Sequence, residues 1–594
     1  MRVYKNLAWF FKAYYKHYIL GVIMLLLVAL LQLVPPQVIG RTIDFINTDT
    51  LTVNILIGLV VLLIAVALLM YLFRYLWRLL IFATANRLGL ELRSQLFKKY
   101  VSMSPSFYQK HRTGDLMAHA TNDINAVNMV AGAGILTIAD SIISGGAVLI
   151  TMAVTVDAKL TLIAMIPLPF MVILTSYYGL MLHKLFRVAQ AAFSSLNDKT
   201  QESIAGIKVT KTFGYEKEDL EDFTDLSAEV VRKNLSVAKI DALFNPTITA
   251  IIGISYFLSI FFGAKMVISD EITIGQLVTF TTYLGMMVWP LLALGMFFNI
   301  LQRGNASYDR IIKILNSKDS IKVTHEISSV PEGDIEFKID TFRFDDSDTV
   351  TLRDVHFTVS PGDTVGIVGQ TGSGKSTLIR LLLREYDPNK LEEVTYGGQP
   401  LSHFDVQTIR KKFGLVPQEN FLFSTTIRDN IAFTNPGAPM EEIIEAAKNS
   451  YIHHDIERFQ YGYDTVVGQR GVSLSGGQKQ RISIARALIM DPDVLILDDS
   501  LSAVDAETEK AILNNLEKLR SGKTNIITAH RMSAVMDADK IIVMSNGTVL
   551  EMGTHDELME NKCWYYDTYK TQSLIQSLEH DLEVITDEEA SDHD

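Results

Sequence analysis

Six stretches of this chain are long, apolar and all but free of charge, at roughly 18–40, 51–73, 131–156, 160–182, 242–264 and 272–302, with Asp140 the single interruption. Each meets the about 20 residues a helix needs to cross the hydrocarbon of a bilayer. No other feature constrains the fold as strongly, because backbone polar groups inside lipid must be satisfied within the spanning segment. After residue 303 no such stretch recurs, and 594 residues exceed what one compact core accommodates. The expected fold class is a multi-domain membrane protein: a six-helix α-helical transmembrane domain over 1–310, a linker over 311–332 and an α/β domain over 333–575. An acidic tail over 576–594 completes the chain.

The basic residues give the orientation. Arg2, Lys5, Lys12 and Lys16 precede the first span, and the connections 84–130 and 184–240 are rich in Lys and Arg. The connections near 41–50, 157–159 and 265–271 are short and hold only Arg41, Lys159 and Lys265. By the positive-inside rule both termini, both long connections and the α/β domain are expected in the cytoplasm, with the chain multi-pass in the cell membrane. Of the net charge of −13, the nineteen-residue tail supplies eight acids and no Lys or Arg. A segment so composed cannot bury a core and is expected to be disordered. No basic stripe points to nucleic acid, and a single cysteine, Cys563, excludes a disulfide framework. The first apolar run has no small-residue cleavage site, so no cleavable signal peptide is expected.

The two long connections keep a mixed polar and apolar rhythm with few Gly or Pro, as in "QAAFSSLNDKTQESIAGIKVTKTF". The spanning helices are therefore expected to continue into the cytoplasm and turn back near 104–116 and 213–223. Such hairpins are either solvated or dock on the α/β domain and transmit motion.

"GIVGQTGSGKSTLIRLLL" (366–383) is an apolar strand, a glycine-rich loop and the start of an apolar-periodic helix. Gly369, Gln370, Thr371, Gly372, Ser373, Gly374, Lys375, Ser376 and Thr377 form the loop. Glycines let backbone N–H groups turn inward around phosphates, and the helix start adds a favourable partial charge. In a loop of this spacing Lys375 reaches the β and γ phosphates of a nucleotide and Ser376 ligates Mg²⁺, which makes the domain a P-loop NTPase. "VLILD" (494–498) delivers Asp498 from a strand end as a second Mg²⁺ ligand. "VSLSGGQKQRISIARAL" (472–488) supplies another helix start at Ser475, Gly476 and Gly477. One domain cannot easily aim two such starts at one phosphate, so two domains facing head to tail are expected.

The order "GQTGSGKST", "VPQENFLF", "LSGGQ", "LILDDSLSAVD", "ITAHR" resembles the ATPase domain of an ATP-binding cassette transporter, and the six spans resemble the type IV exporter half-transporter. The likeness covers about 1–575 and implies ATP and Mg²⁺ as ligands. It implies further that Gln418 senses Mg²⁺ and the membrane domain, that the signature including Ser475, Gly476, Gly477 and Gln478 clasps the γ-phosphate bound to a partner, and that Asp505 lies in the loop crossing between the two sites. The likeness also implies that His530 is the switch histidine, that the tips near 104–116 and 213–223 are coupling helices, and that Phe344 stands where a tyrosine usually stacks on adenine. Phenylalanine keeps the π-face.

Two positions depart from that pattern. Asp499 replaces the glutamate that usually polarises the attacking water, and a carboxylate one methylene shorter is drawn back. A misplacement of about 1 Å can cost roughly a hundredfold in rate, and general-base help is worth about 10²–10⁴. This chain's own site is therefore expected to bind ATP and hydrolyse it slowly, while its intact "LSGGQ" completes a fast site on a second, non-identical half-transporter, as in bacterial heterodimeric multidrug exporters. Gln469 stands where exporters usually place a glutamate. The expected cargo is a small amphipathic, often cationic drug or a lipid-like compound moved out of the cell, with the lipid bilayer as a further partner. Span six offers Met286, Met287, Met296, Tyr283, Trp289, Phe297 and Phe298, either as a soft binding surface or as ordinary packing. Asp140 is expected to face the bundle interior, where it either recognises cationic drugs, carries a proton or is satisfied by nearby hydroxyls. Prolines at 35, 36, 167, 169, 246 and 290 are expected to bend helices around a cavity. The rival functions are a lipid or peptide exporter and an ATP-gated assembly that hydrolyses little.

Overall fold

The computed structural model describes residues 2–319, 321, 327, 329–344, 347–468, 474–575 and 577. Gln469 and, Ser577 apart, the acidic tail lie outside the described residues. Contacts divide the chain into two compact units, the first comprising residues up to Ser102 and Thr113–Ser317, the second Met103–Arg112 and the chain from Lys318 onward.

The first unit holds six helices long and apolar enough to cross a membrane: Tyr15–Asn47, Val53–Ser102, Thr113–Thr155, Ala158–Ala205, Glu216–Ile268 and Ile274–Leu315. Span two has 50 residues and span five 53, so at about 1.5 Å per residue they extend well beyond a hydrocarbon layer about 30 Å thick. Prolines interrupt three spans, at Leu33 ahead of Pro35, around Pro167 between Met165 and Leu168, and at Met287 ahead of Pro290. Pro246 lies within the continuous helix Glu216–Ile268. Side chains of span six bond carbonyls of span one at and beside its break. The Tyr283 hydroxyl donates to the Leu33 carbonyl at 2.6 Å and the Thr279 hydroxyl to the Pro36 carbonyl at 3.1 Å. Spans one and six also meet backbone to backbone, since a Cβ at Gly275 would lie 2.0 Å from the Gly40 carbonyl.

Span three carries two π-helical turns, His119–Asp123 and Val130–Gly134. The second is secured from outside its own helix: Tyr4 donates to the Val130 carbonyl at 3.1 Å and Tyr18 to the Ala131 carbonyl at 3.0 Å. The first presents Asp123, which accepts from the Arg310 guanidinium and lies 2.7 Å from His119 Nδ1.

The second unit is built on two sheets. The strands are β1 (Ile335–Phe342), β2 (Leu352–Val359), β3 (Thr364–Gly369), β4 (Val394–Tyr396), β5 (Gln399–Pro400), β6 (Phe413–Val416), β7 (Val494–Asp498), β8 (Thr524–Ala529), β9 (Lys540–Ser545) and β10 (Thr548–Gly553). One sheet has the order β2-β1-β4-β5 and is antiparallel; the other runs β10-β9-β3-β8-β7-β6 and is parallel except for β10. Helices cover a parallel sheet on both faces, so its strands read as continuous apolar runs, and Val494–Leu497 of β7 are all buried. Ligands of such sheets bind beyond the carboxyl ends of the strands. Here those ends belong to β3, β8 and β7, side by side, with Val368 opposite Ala529 and Asp498 opposite Thr528. Helix α1 (Lys375–Leu382) follows β3, helix α2 (Gly476–Leu488) opens at the signature, and helix α3 (Ala506–Leu519) follows β7.

A short helix, Pro105–Lys110, belongs to this second unit although the chain on either side belongs to the first. The Tyr386 hydroxyl donates to Gln109 Oε1, and the Ser104 N–H donates to Asp319 at 3.3 Å. The turn near 213–223 consists of the helix Ile207–Phe213 and a left-handed Gly214 before Glu216.

Candidate nucleotide site

The phosphate loop is built by the ends of β3 and α1. Gly369 has φ of 151°, and a Cβ there would lie 2.1 Å from the Met544 carbonyl of β9, so the chain can leave the strand only through a glycine. Gly374, also at positive φ, caps α1 and turns Lys375 inward. The Lys375 ammonium donates to the carbonyls of Gly369 at 2.8 Å and Gln370 at 3.1 Å, closing the loop over itself. Burial pulls this ammonium below the usual lysine range, against the opposing pull of Asp499 and Asp498. Thr377 is buried in the first turn of α1, while Gln370, Thr371 and Gly372 form the exposed crest of the loop. Ser373 is buried with a hydroxyl that has no hydrogen-bond partner. Such an orphaned donor is costly unless a ligand takes it.

Ser376 donates to Asp498 Oδ1 at 3.2 Å, and Thr528 of β8 donates to the same oxygen at 2.6 Å. Among the described residues no cluster of three His, Cys, Asp or Glu could hold a metal. One carboxylate, one hydroxyl and the Gln418 amide beside Asp499 nevertheless suit Mg²⁺, which takes one or two carboxylates and completes its shell with water and phosphate oxygens. When bound, the ion neutralises phosphate charge.

Asp499 follows in a left-handed conformation, φ 46°, which aspartate tolerates better than most non-glycine residues. Its N–H donates to both the carbonyl and the hydroxyl of Thr528, each at 3.0 Å. Its Oδ2 accepts from Gln418 Nε2 at 3.3 Å. The acid is thus fixed at the backbone on one side and held by an amide on the other. Asp499 and His530 line one cavity of about 120 Å³ at the ends of β7 and β8.

The signature stands apart from the loop, and no hydrogen bond among the described residues joins the two. Ser475 caps α2 in a capping box with Gln478: the Gln478 N–H donates to Ser475 Oγ at 3.2 Å and the Ser475 N–H to Gln478 Oε1 at 3.1 Å. Gln478 also donates to Asp455, which pairs with Arg481 at 2.9 Å. These bonds leave the first N–H groups of α2, at Gly476 and Gly477, facing outward at an anion-favouring helix start. Asp505 caps α3 by accepting from the Thr508 N–H at 2.9 Å, a bond that holds its carboxyl below the usual range. Phe344 packs edge-on against Tyr386, with ring centroids 4.9 Å apart.

Sequence reasoning did not find Thr528, the residue that ties Asp498 and Asp499 together; its only signal is a hydroxyl at the end of an apolar strand. Nor did it find Arg531, which bonds the Val504 carbonyl at 3.2 Å and buried Glu509 at 2.9 Å and so joins the segment after His530 to α3.

Comparison with known proteins agrees with this geometry. Residues 18–291 match the model of the ABC transporter transmembrane region, and 352–502 match that of the ABC transporter. The chain is 42% identical over 574 residues to the probable multidrug resistance ABC transporter ATP-binding/permease protein YheI of Bacillus subtilis, covering 96% of this chain and 98% of that one. It is also 42% identical over 579 residues to the multidrug resistance-like ATP-binding protein MdlA of Escherichia coli, covering 98% of each. Among solved structures, a bacterial Atm1-family ABC exporter with ATP bound superposes with a TM-score of 0.78 at 26% identity, over 94% of this chain and 99% of the other.

Proposed function

The chain belongs to the ABC transporter family, and from that premise we propose that it is one half of an ATP-driven exporter whose two halves are unlike. Its ABC ATPase domain couples ATP hydrolysis to transport through a multi-pass membrane domain. In the proposed assembly the nucleotide bound by Lys375, Ser376 and Asp498 is hydrolysed slowly, and the Ser475–Gln478 signature completes a competent site on a partner that supplies a glutamate. Both termini and the ATPase domain lie in the cytoplasm. The cargo is a small amphipathic drug or lipid-like compound; the names of the relatives, which speak of multidrug resistance, support the drug part of that reading.

One observation carries the asymmetry. Asp499 is a methylene shorter than glutamate, and its main chain has two hydrogen bonds to Thr528 that resist any forward shift to compensate. Gln418 holds the carboxylate it does present. With general-base help worth about 10²–10⁴, a site so built occludes ATP for many turnovers of its neighbour.

The test is reconstitution with and without an unlike half. Alone, this chain is expected to hydrolyse ATP near background. Paired with a half carrying glutamate after its Mg²⁺-binding aspartate, it should show cargo-stimulated hydrolysis and vesicle transport. Changing that partner glutamate to glutamine should abolish turnover, while Asp499→Asn should lower it less than about threefold, since the slow site contributes little. Vigorous vectorial ATPase by the chain alone would contradict the reading.

A further inference from the structure

The cavity of about 430 Å³ inside the first unit lies among spans one, two, three and six, and it is not uniformly apolar. Arg74, Trp77 and Arg78 of span two point into it from one helical face, three and four residues apart. Asp140 of span three, Met286 and Trp289 of span six and Gln32 of span one stand on other parts of its wall. Neither guanidinium pairs with Asp140, whose carboxylate instead accepts from the Ser144 hydroxyl at 2.7 Å. The Arg78 guanidinium lies 5.6 Å from the Trp77 ring centroid. Trp77 is 7% exposed, and its indole N–H has no hydrogen-bond partner.

Two guanidiniums thus line a chamber of mixed polarity. Arg74 stands 21 residues beyond Val53, the first residue of span two, so at about 1.5 Å per residue the pair reaches the inner edge of a hydrocarbon layer about 30 Å thick. Asp140, in contrast, lies within the apolar stretch 131–156. An amphiphile entering from the cytoplasmic leaflet would meet the positive charges with its headgroup while its chain passed Met286 and Trp289. Guanidinium forks bind phosphate through paired, charge-assisted hydrogen bonds, and a thioether beside an indole makes an adaptable wall for hydrocarbon.

We propose that this cavity binds an amphiphile with an anionic phosphate headgroup, held by Arg74 and Arg78. The proposal rests on the exporter reading and narrows its cargo from amphiphiles in general to this class. A purely cationic amphiphile would have Asp140 alone to meet it and two guanidiniums to repel it.

The experiment uses the full-length chain in the assembly it forms when purified in dodecyl maltoside, without nucleotide, with tryptophan fluorescence as the readout. Trp77→Phe and Trp289→Phe identify the reporting rings. Dodecyl phosphate should quench saturably. Dodecyltrimethylammonium should bind at least about tenfold more weakly, and inorganic phosphate alone should give no saturable change, because charge and chain are both required. Arg74→Ala with Arg78→Ala should weaken dodecyl phosphate at least about tenfold, and the paired lysine variants by about threefold, since they keep charge but lose the fork. Both sites are exposed at span two, and ATP binding by each variant reports that the chain is folded. Equal binding of the two detergents, or dodecyl phosphate binding that survives the paired alanines, would overturn the proposal. Saturation by inorganic phosphate alone would make this a bare anion site and overturn it too. Because no nucleotide is present, failure here is distinct from failure of the asymmetric ATPase, which hydrolysis rates decide.

Discussion

Thr528 holds two atoms of the nucleotide site in register through three hydrogen bonds: its hydroxyl donates to Asp498, and its carbonyl and hydroxyl both accept from the Asp499 N–H. Thr528→Val keeps the shape and removes the polar group. It is expected to cost about 1–2 kcal/mol of stability and to weaken nucleotide binding several-fold with Mg²⁺ but little without it, as titration in each condition would show. Lys375 gives a pH signature. Burial favours its neutral form, so ATP affinity should fall with rising pH through a value below the ordinary lysine range near 10.4. Stability of the nucleotide-free protein moves the other way. Between the lowered and the ordinary value the unfolded chain keeps a proton the folded chain has lost, so unfolding free energy rises with pH there. Lys375→Arg, always charged, should flatten the fall in affinity between pH 8 and about 10. Most of these groups were legible residue by residue, because the loop, Asp498 and the signature are defined by spacing. Thr528 was not, since only the β7–β8 register brings it there.

The caps of the ATPase domain place an acid limit on its stability. Asp405 and Asp505 accept from the N–H groups of Thr408 and Thr508, and those bonds hold both carboxyls below their usual range. Depressed carboxylates stabilise fully above the ordinary value of about 3.9, and the contribution is lost as pH falls through the lower folded value. The caps should therefore leave the melting temperature of the full chain unchanged down to about pH 4 and lower it below that, and less so for the paired asparagine variants, which keep the cap without titrating. The helix Pro105–Lys110 yields a second test. Tyr386 touches the proposed adenine platform Phe344 on one side and donates to Gln109 on the other. Tyr386→Phe should leave ATP affinity unchanged and reduce cargo stimulation of hydrolysis by about three- to tenfold, the range of a modest coupling energy. The sequence told where this hairpin turns. It could not tell that residues 103–112 pack with the ATPase unit, because that contact joins positions 277 apart. The π-helical turns of span three left no pattern either, since one extra residue in a turn does not change composition.

In the whole molecule, the six apolar stretches and the order of the ATPase motifs made the architecture readable, since crossing a bilayer and cradling a phosphate each admit few solutions. The cavity among spans one, two, three and six was less readable. Taken as a run without charge, span two ended at residue 73, and its next turn supplies Arg74 and Arg78 to the cavity wall. The proposed division of labour, one slow site and one intact signature in the same chain, reduces to reach at a single position. Asp499→Glu, made in an assembly whose other site is disabled, tests it most directly by single-turnover hydrolysis of ATP bound to this chain. The expected result is acceleration by at least about tenfold, within the roughly hundredfold that 1 Å of misplacement can cost. An unchanged rate would show that the length of the acid is not what limits this site.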